Sequence, residues 1–198
     1  MLHYTAMNTA GEARARLCDP AHEVSAHWLI DEIGHAEALV DETQRAWHAG
    51  AGAWAGLTDI NSHSIGIEIA NRGDHPFAAR QMDRLETLLT GLMARWDIPP
   101  AHVIAHSDMA PTRKVDPGAR FDWQRLARAG LSIWPQADAP ADPAQFHDAA
   151  RAFGYPDAPA GALLAAFRLR FRPWARGALD GWDAALACDL ARRFAPNS

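Results

Sequence analysis

The chain has 198 residues, of which 48% are hydrophobic, 22% charged and 9% aromatic, so a unit of this size can bury roughly 70% of its unfolded surface. Intrinsic disorder, collagen-like repeats and small disulfide scaffolds are excluded. A formal net charge of -5 offers no global field for a phosphate backbone, and nucleic acid is excluded as an expected partner.

Taken in chain order, Leu2-His3-Tyr4-Thr5 reads as the end of an inward-pointing strand. Further strand-like runs lie at Ala26 to Ile30 and Ser64 to Ile69. The second alternates Ile65, Ile67 and Ile69 against Ser64, Gly66 and Glu68, which leaves Glu68 on the face opposite the isoleucines. From Phe77 to Trp96, Met82, Leu85, Leu88, Leu89, Leu92, Met93 and Trp96 recur at spacings of three and four, predicting an amphipathic helix. Ala101 to Ala105 reads as another buried strand, closed by His106. Strand, helix, strand predicts an α/β fold with a mixed central sheet flanked by helices.

Pro135 to Pro143 crowds proline, alanine and aspartate without a hydrophobic period and reads as a linker. Beyond it, Pro143 to Phe153, Pro159 to Phe171 and Trp182 to Phe194 predict three short helices. The expected organisation is a domain over residues 1-135, a linker over 136-142 and a small three-helix domain over 143-198, which is too small to bury much core alone and is expected to dock on the larger one. No stretch approaches about 18 apolar residues, and Met1 to Leu17 lacks a basic segment followed by an apolar one; neither a membrane span nor a signal peptide is expected in the chain as given.

Cys18 and Cys188, the two cysteines, build neither a disulfide framework nor a four-cysteine metal site. Histidine is plentiful, with ten copies, and position must select among them. His106 closes an apolar strand and opens a polar loop, where metal and catalytic groups are commonly presented. In that loop Lys114 and Asp116 stand two apart, on one side of an extended backbone. Lys114 is the single lysine of a chain otherwise served by arginine, which suggests a place that needs an ammonium. A histidine and an aspartate are sound zinc ligands, but a catalytic site takes three with a fourth position for water. His3 is the strongest third candidate, with His27, His48 and His63 as competitors. Glu68 either faces solvent or lines a cleft as a non-ligating base. Trp47 and Trp54 either stack on a sugar ring or pack a core, and core is the favoured reading.

Four blocks then form a pattern: Leu2-His3-Tyr4-Thr5, Ala46-Trp47-His48-Ala49-Gly50, Asn61-Ser62-His63-Ser64-Ile65-Gly66-Ile67-Glu68, and Ala105-His106-Ser107-Asp108-Met109-Ala110-Pro111 followed by Arg113-Lys114-Val115-Asp116-Pro117-Gly118. In this order and spacing, over Leu2 to Pro135, the chain resembles the zinc-dependent type-2 N-acetylmuramoyl-L-alanine amidases, a fold shared with peptidoglycan recognition proteins. The resemblance implies that His3, His106 and Asp116 hold zinc (Zn2+), that Glu68 and Lys114 do the chemistry, and that His27 is structural. Phe153-Gly154-Tyr155, the run Ala166 to Pro173 and Gly177-Ala178-Leu179-Asp180 are similar to the peptidoglycan-binding-like helical module of the AmiD-like branch.

The implied activity is hydrolysis of the amide between N-acetylmuramic acid, or its 1,6-anhydro form, and L-alanine. The implied partner is peptidoglycan or a muropeptide, with monomer as the default state. A non-catalytic recognition module is one alternative, disfavoured by the complete zinc set; a cytosolic AmpD-like recycler is another, disfavoured by the helical tail. The family's first strand begins several residues ahead of its histidine, whereas Met1 lies just before His3 here. The expectation is a start placed late or a lost export signal, with the cell envelope or periplasm as location and the cytoplasm as the alternative.

Overall fold

The computed structural model describes residues 1–196; the last two residues of the expected helical domain lie outside the described residues. The sheet has four short strands, β1 (Leu2–Tyr4), β2 (Trp28–Ile30), β3 (Ala36–Ala38) and β4 (Ile67–Ile69), in the order β1-β4-β2-β3. β4 runs parallel to both neighbours, and β3 is antiparallel to β2. This is the mixed sheet that the alternating pattern predicts.

The described residues also form seven α-helices: α1 (Ala10–Leu17), α2 (Ala79–Trp96), α3 (His106–Met109), α4 (Trp123–Arg128), α5 (Phe146–Phe153), α6 (Ala160–Phe171) and α7 (Gly181–Phe194). Because strand side chains alternate between faces, Leu2, Ile30, Ile67 and Ile69 all point to one side, where they pack with Met82, Leu85, Leu89 and Leu92 of α2. Gln81 ties this helix down, its Nε2 donating to the carbonyls of Ala70 at 2.7 Å and Asp31 at 3.1 Å. Leu29 and Ala70 face the other way and pack with Ala10 and Ala13 of α1. His3 and Glu68 share that second side with them.

The strands are shorter than their sequence runs. Upstream of β4 the ladder to β2 ends at Gly66, whose carbonyl accepts from the amides of both His27 and Trp28. The expected strand over Ala101 to Ala105 is absent. Pro99 and Pro100 lack donors and fix φ, and the chain instead makes a 3-10 turn at Pro100–His102. Only Ala105 then bridges to Leu2, before Asp108 Oδ2 accepts from the Ala105 amide at 2.8 Å and opens α3.

The three helices predicted after the linker are present: α6 and α7 begin within one residue of the expected positions, and α5 begins three residues late, after a 3-10 turn at Pro143–Gln145. They dock on the larger lobe: Phe146, Phe153, Phe167, Phe171 and Leu190 share one apolar cluster with Met1, Trp54, Ile60, Ile104 and Met109. Among the described residues, no helix is long and apolar enough to cross a membrane.

Candidate active site

His3 and Glu68 are register partners on adjacent parallel strands, so their side chains leave the sheet together on the face that α2 does not cover. His106 joins them because the cap made by Asp108 turns the chain into α3 at that residue. Asp116 returns from the following loop, where the Ser107 amide donates to the Asp116 carbonyl at 3.0 Å. The Nδ1 atoms of His3 and His106 lie 2.9 Å apart, and Asp116 Oδ2 lies 2.9 Å from the first and 3.0 Å from the second. All three residues are buried.

The surrounding hydrogen bonds fix which nitrogens carry protons. His106 Nε2 donates to the Ala49 carbonyl at 2.8 Å, which leaves its Nδ1 bare. His48 Nε2 donates to the Ser64 carbonyl at 3.4 Å, so His48 Nδ1 accepts from His3 Nε2 at 3.1 Å, and His3 Nδ1 is bare as well. Burial holds His3 down at about 4 and His48 well below the usual imidazole range, which keeps both rings neutral. Asp116 brings the third ligand atom, a carboxylate oxygen within hydrogen-bond distance of both nitrogens. Three lone pairs therefore converge in a buried space, an arrangement that a divalent cation relieves. Two imidazole nitrogens and one carboxylate oxygen, with room for a fourth position, fit zinc.

Glu68 is the second element. Its side chain is partly covered, yet Oε2 is fully buried and has no hydrogen-bond partner among the described residues. Burial, followed by the like charge of Asp116, pushes its carboxyl up to about 8, with Lys114 pulling partly back. Such a group carries a proton near neutral pH. Lys114 and Asp116 both line the cleft over the cluster, a space of about 370 Å³ also bounded by Trp47, Glu68, Arg113 and Arg16.

The favoured reading of both tryptophans as core holds for Trp54, which is 7% exposed, and is corrected for Trp47, which is 54% exposed. Trp47 stands at the cleft with Arg45 over its ring at 4.2 Å. Among the competitor histidines, His63 is exposed. His27 is committed to the backbone, with Nδ1 accepting from the Gly66 amide at 2.9 Å and Nε2 donating to the Gln44 carbonyl at 3.0 Å.

Sequence reasoning missed the supporting roles of His48, Ala49 and Asn61. Asn61 Oδ1 accepts from the amides of His48 at 3.0 Å and Ala49 at 2.8 Å, holding both against the cluster of His3, His106 and Asp116. One signal was available. Gly66 interrupts an alternating strand pattern, which marks a close approach, and a Cβ there would lie 2.4 Å from the His48 ring.

Fold and cluster together define a type-2 amidase. The chain belongs to the N-acetylmuramoyl-L-alanine amidase family, Amidase_2, whose profile matches residues 1–119. It is 34% identical over 229 residues to N-acetylmuramoyl-L-alanine amidase AmiD of Escherichia coli, a match covering 98% of this chain and 82% of that protein. Against 1,6-anhydro-N-acetylmuramyl-L-alanine amidase AmpD of Haemophilus influenzae it is 38% identical over 103 residues, 52% of this chain and 56% of that protein. The structure of E. coli AmiD in complex with anhydro-N-acetylmuramic acid-L-Ala-D-γ-Glu-L-Lys superposes with a TM-score of 0.90 at 34% identity, covering 98% of this chain and 88% of that one. AmpDh3 of Pseudomonas aeruginosa gives 0.86 at 32% identity, covering 98% and 90%.

Proposed function

We propose that the chain hydrolyses the amide between N-acetylmuramic acid, or its 1,6-anhydro form, and L-alanine in peptidoglycan or muropeptides, with zinc held by His3, His106 and Asp116. The observation that carries this reading is the convergence of three bare donor atoms beside an unpartnered, protonatable glutamate. When bound, zinc supplies Lewis acidity, polarising a carbonyl and lowering the pKa of water toward about 7. A cation in the cluster would favour the ionised form of Glu68, and as a carboxylate Glu68 takes the proton from the attacking water and passes it to the departing amine of L-alanine, which leaves neutral. Lys114 offsets the charge that develops on the former carbonyl oxygen. Trp47 offers an exposed aromatic face to a sugar ring at the mouth of the cleft.

Zinc-loaded protein given a muramyl-L-alanyl peptide should release a peptide with a free L-alanine amine, and chelation should stop the release. Binding without release would favour a recognition module and overturn the enzymatic reading. We place the protein as a monomer at the cell envelope, because its likeness to AmiD runs through the helical tail; fractionation that finds it only in the cytoplasm would favour the recycling alternative.

A further inference from the structure

The basic run Arg168-Leu169-Arg170-Phe171-Arg172, which closes α6 and caps it, invites a reading as a glycan-binding surface, but all three arginines are spent inward. Arg168 and Arg172 pair with Asp183 inside the tail. Arg170 crosses out of it: its fully buried guanidinium donates from Nη1 to Asp108 Oδ2 at 2.6 Å and from Nη2 to the Val103 carbonyl at 2.9 Å, and lies over the Trp123 ring at 4.5 Å. Tyr155 donates to the other oxygen of the same carboxylate at 2.8 Å. Asp108 in turn accepts from the Ala105 amide at 2.8 Å and shapes the one-turn helix that begins with His106.

We propose that the C-terminal helices position the metal site: Arg170 and Tyr155 clamp Asp108, and through it hold His106 at the spacing that His3 and Asp116 require. A buried ion pair adds little net stability over well-packed apolar residues of the same volume. Arg170 also leaves its Nε without a partner among the described residues. Both facts suit a contact kept for the place it assigns to Asp108. The tail and the zinc set thus form one working unit, and Arg170 and Tyr155 are positioning residues some distance from any substrate.

This inference rests on the zinc reading above, so the test begins with the full-length wild-type chain. Failure of that protein to bind Zn2+ would sink the reading itself. Given binding, full-length Tyr155→Phe and Arg170→Met are titrated with Zn2+ against a chelator, with Co2+ absorption as a second view of the ligand geometry and the melting of the metal-free protein as a third. Both variants should bind Zn2+ about 10-fold more weakly, the low end of what loss of outer support produces, with an altered Co2+ spectrum. Arg172→Met, which breaks contacts within the tail only, should lower the melting temperature and leave Zn2+ affinity unchanged. Should Arg170→Met fail to fold, Tyr155→Phe decides the matter alone. Variants that melt earlier yet bind Zn2+ as wild type does would overturn the proposal, as would an equal loss of affinity in Arg172→Met.

Discussion

His48 stands directly behind His3, its Nδ1 3.1 Å from the Nε2 of the strand histidine, with its own Nε2 3.4 Å from the Ser64 carbonyl. The carbonyl at the far end decides the direction of the whole chain of protons, and so presents a bare His3 Nδ1 to Asp116. Removing the middle ring frees His3 to rotate and to change tautomer. His48→Ala should weaken Zn2+ binding about 10-fold or more, and His48→Asn, whose Oδ1 can accept from His3 Nε2, should recover part of the loss. Chelator competition measures both. Equal affinity in wild type and His48→Ala would show that the ring only fills space.

The ligand set makes a separate claim on stability. A cation that binds the native state alone, present at 100 times its dissociation constant, adds about 2.7 kcal/mol, which for a domain of this size raises the melting temperature by about 5 to 10 °C. Zn2+ should produce that rise in wild type and none in His106→Ala or Asp116→Ala, each of which leaves two donors. A full equivalent of metal retained by His106→Ala would refute the assignment.

Residues whose position follows from local pattern were legible in the sequence. The α2 stripe, the alternation around Glu68 and the three tail helices each write a period into the chain. His3, His106 and Asp116 were nameable because their blocks form a known family pattern, and periodicity alone left His27, His48 and His63 as open competitors. The support behind the site was not legible. His48 reaches His3 across 45 residues and Arg170 reaches Asp108 across 62, and no local rule reports a contact at that distance. The missing strand at Ala101 to Ala105 failed for a local reason: Pro99 and Pro100 lead the chain into a 3-10 turn, which leaves one residue, Ala105, to bridge Leu2.

Glu68 predicts a pH dependence in the metal-free protein. Its carboxyl titrates at an ordinary 4.5 when unfolded and at about 8 when folded, so the native state holds the extra proton across that window. The associated stability is fully present below about 4.5 and is lost as the pH rises through 8. In chelator, the denaturation midpoint of wild type should fall over this range more steeply than that of Glu68→Gln, which carries no titrating group there. A bound cation would favour the carboxylate, so the comparison belongs to the metal-free chain. With zinc restored, Glu68→Gln should keep its metal and lose about 100 to 10,000-fold in turnover. Matching pH slopes in the two proteins would mean that the carboxyl is not buried as described.

Lys114 is a further charge in the cleft, beside Arg16 and Arg113. It offsets part of the burial and Asp116 repulsion that raise Glu68, and it lines the cleft over the cluster, where the proposed reaction develops an oxyanion. Lys114→Ala should therefore keep zinc, lower kcat by about 100 to 1,000-fold with little change in KM, and move the Glu68 titration to still higher pH. Lys114→Arg should recover the pH behaviour better than the rate, because a planar guanidinium preserves the charge but not the compact ammonium geometry. Zinc content, a steady-state rate on a muramyl peptide and a pH series on the same three proteins separate these effects. Wild-type turnover in Lys114→Ala would remove the lysine from the chemistry and leave Glu68 and the metal cluster to carry it alone.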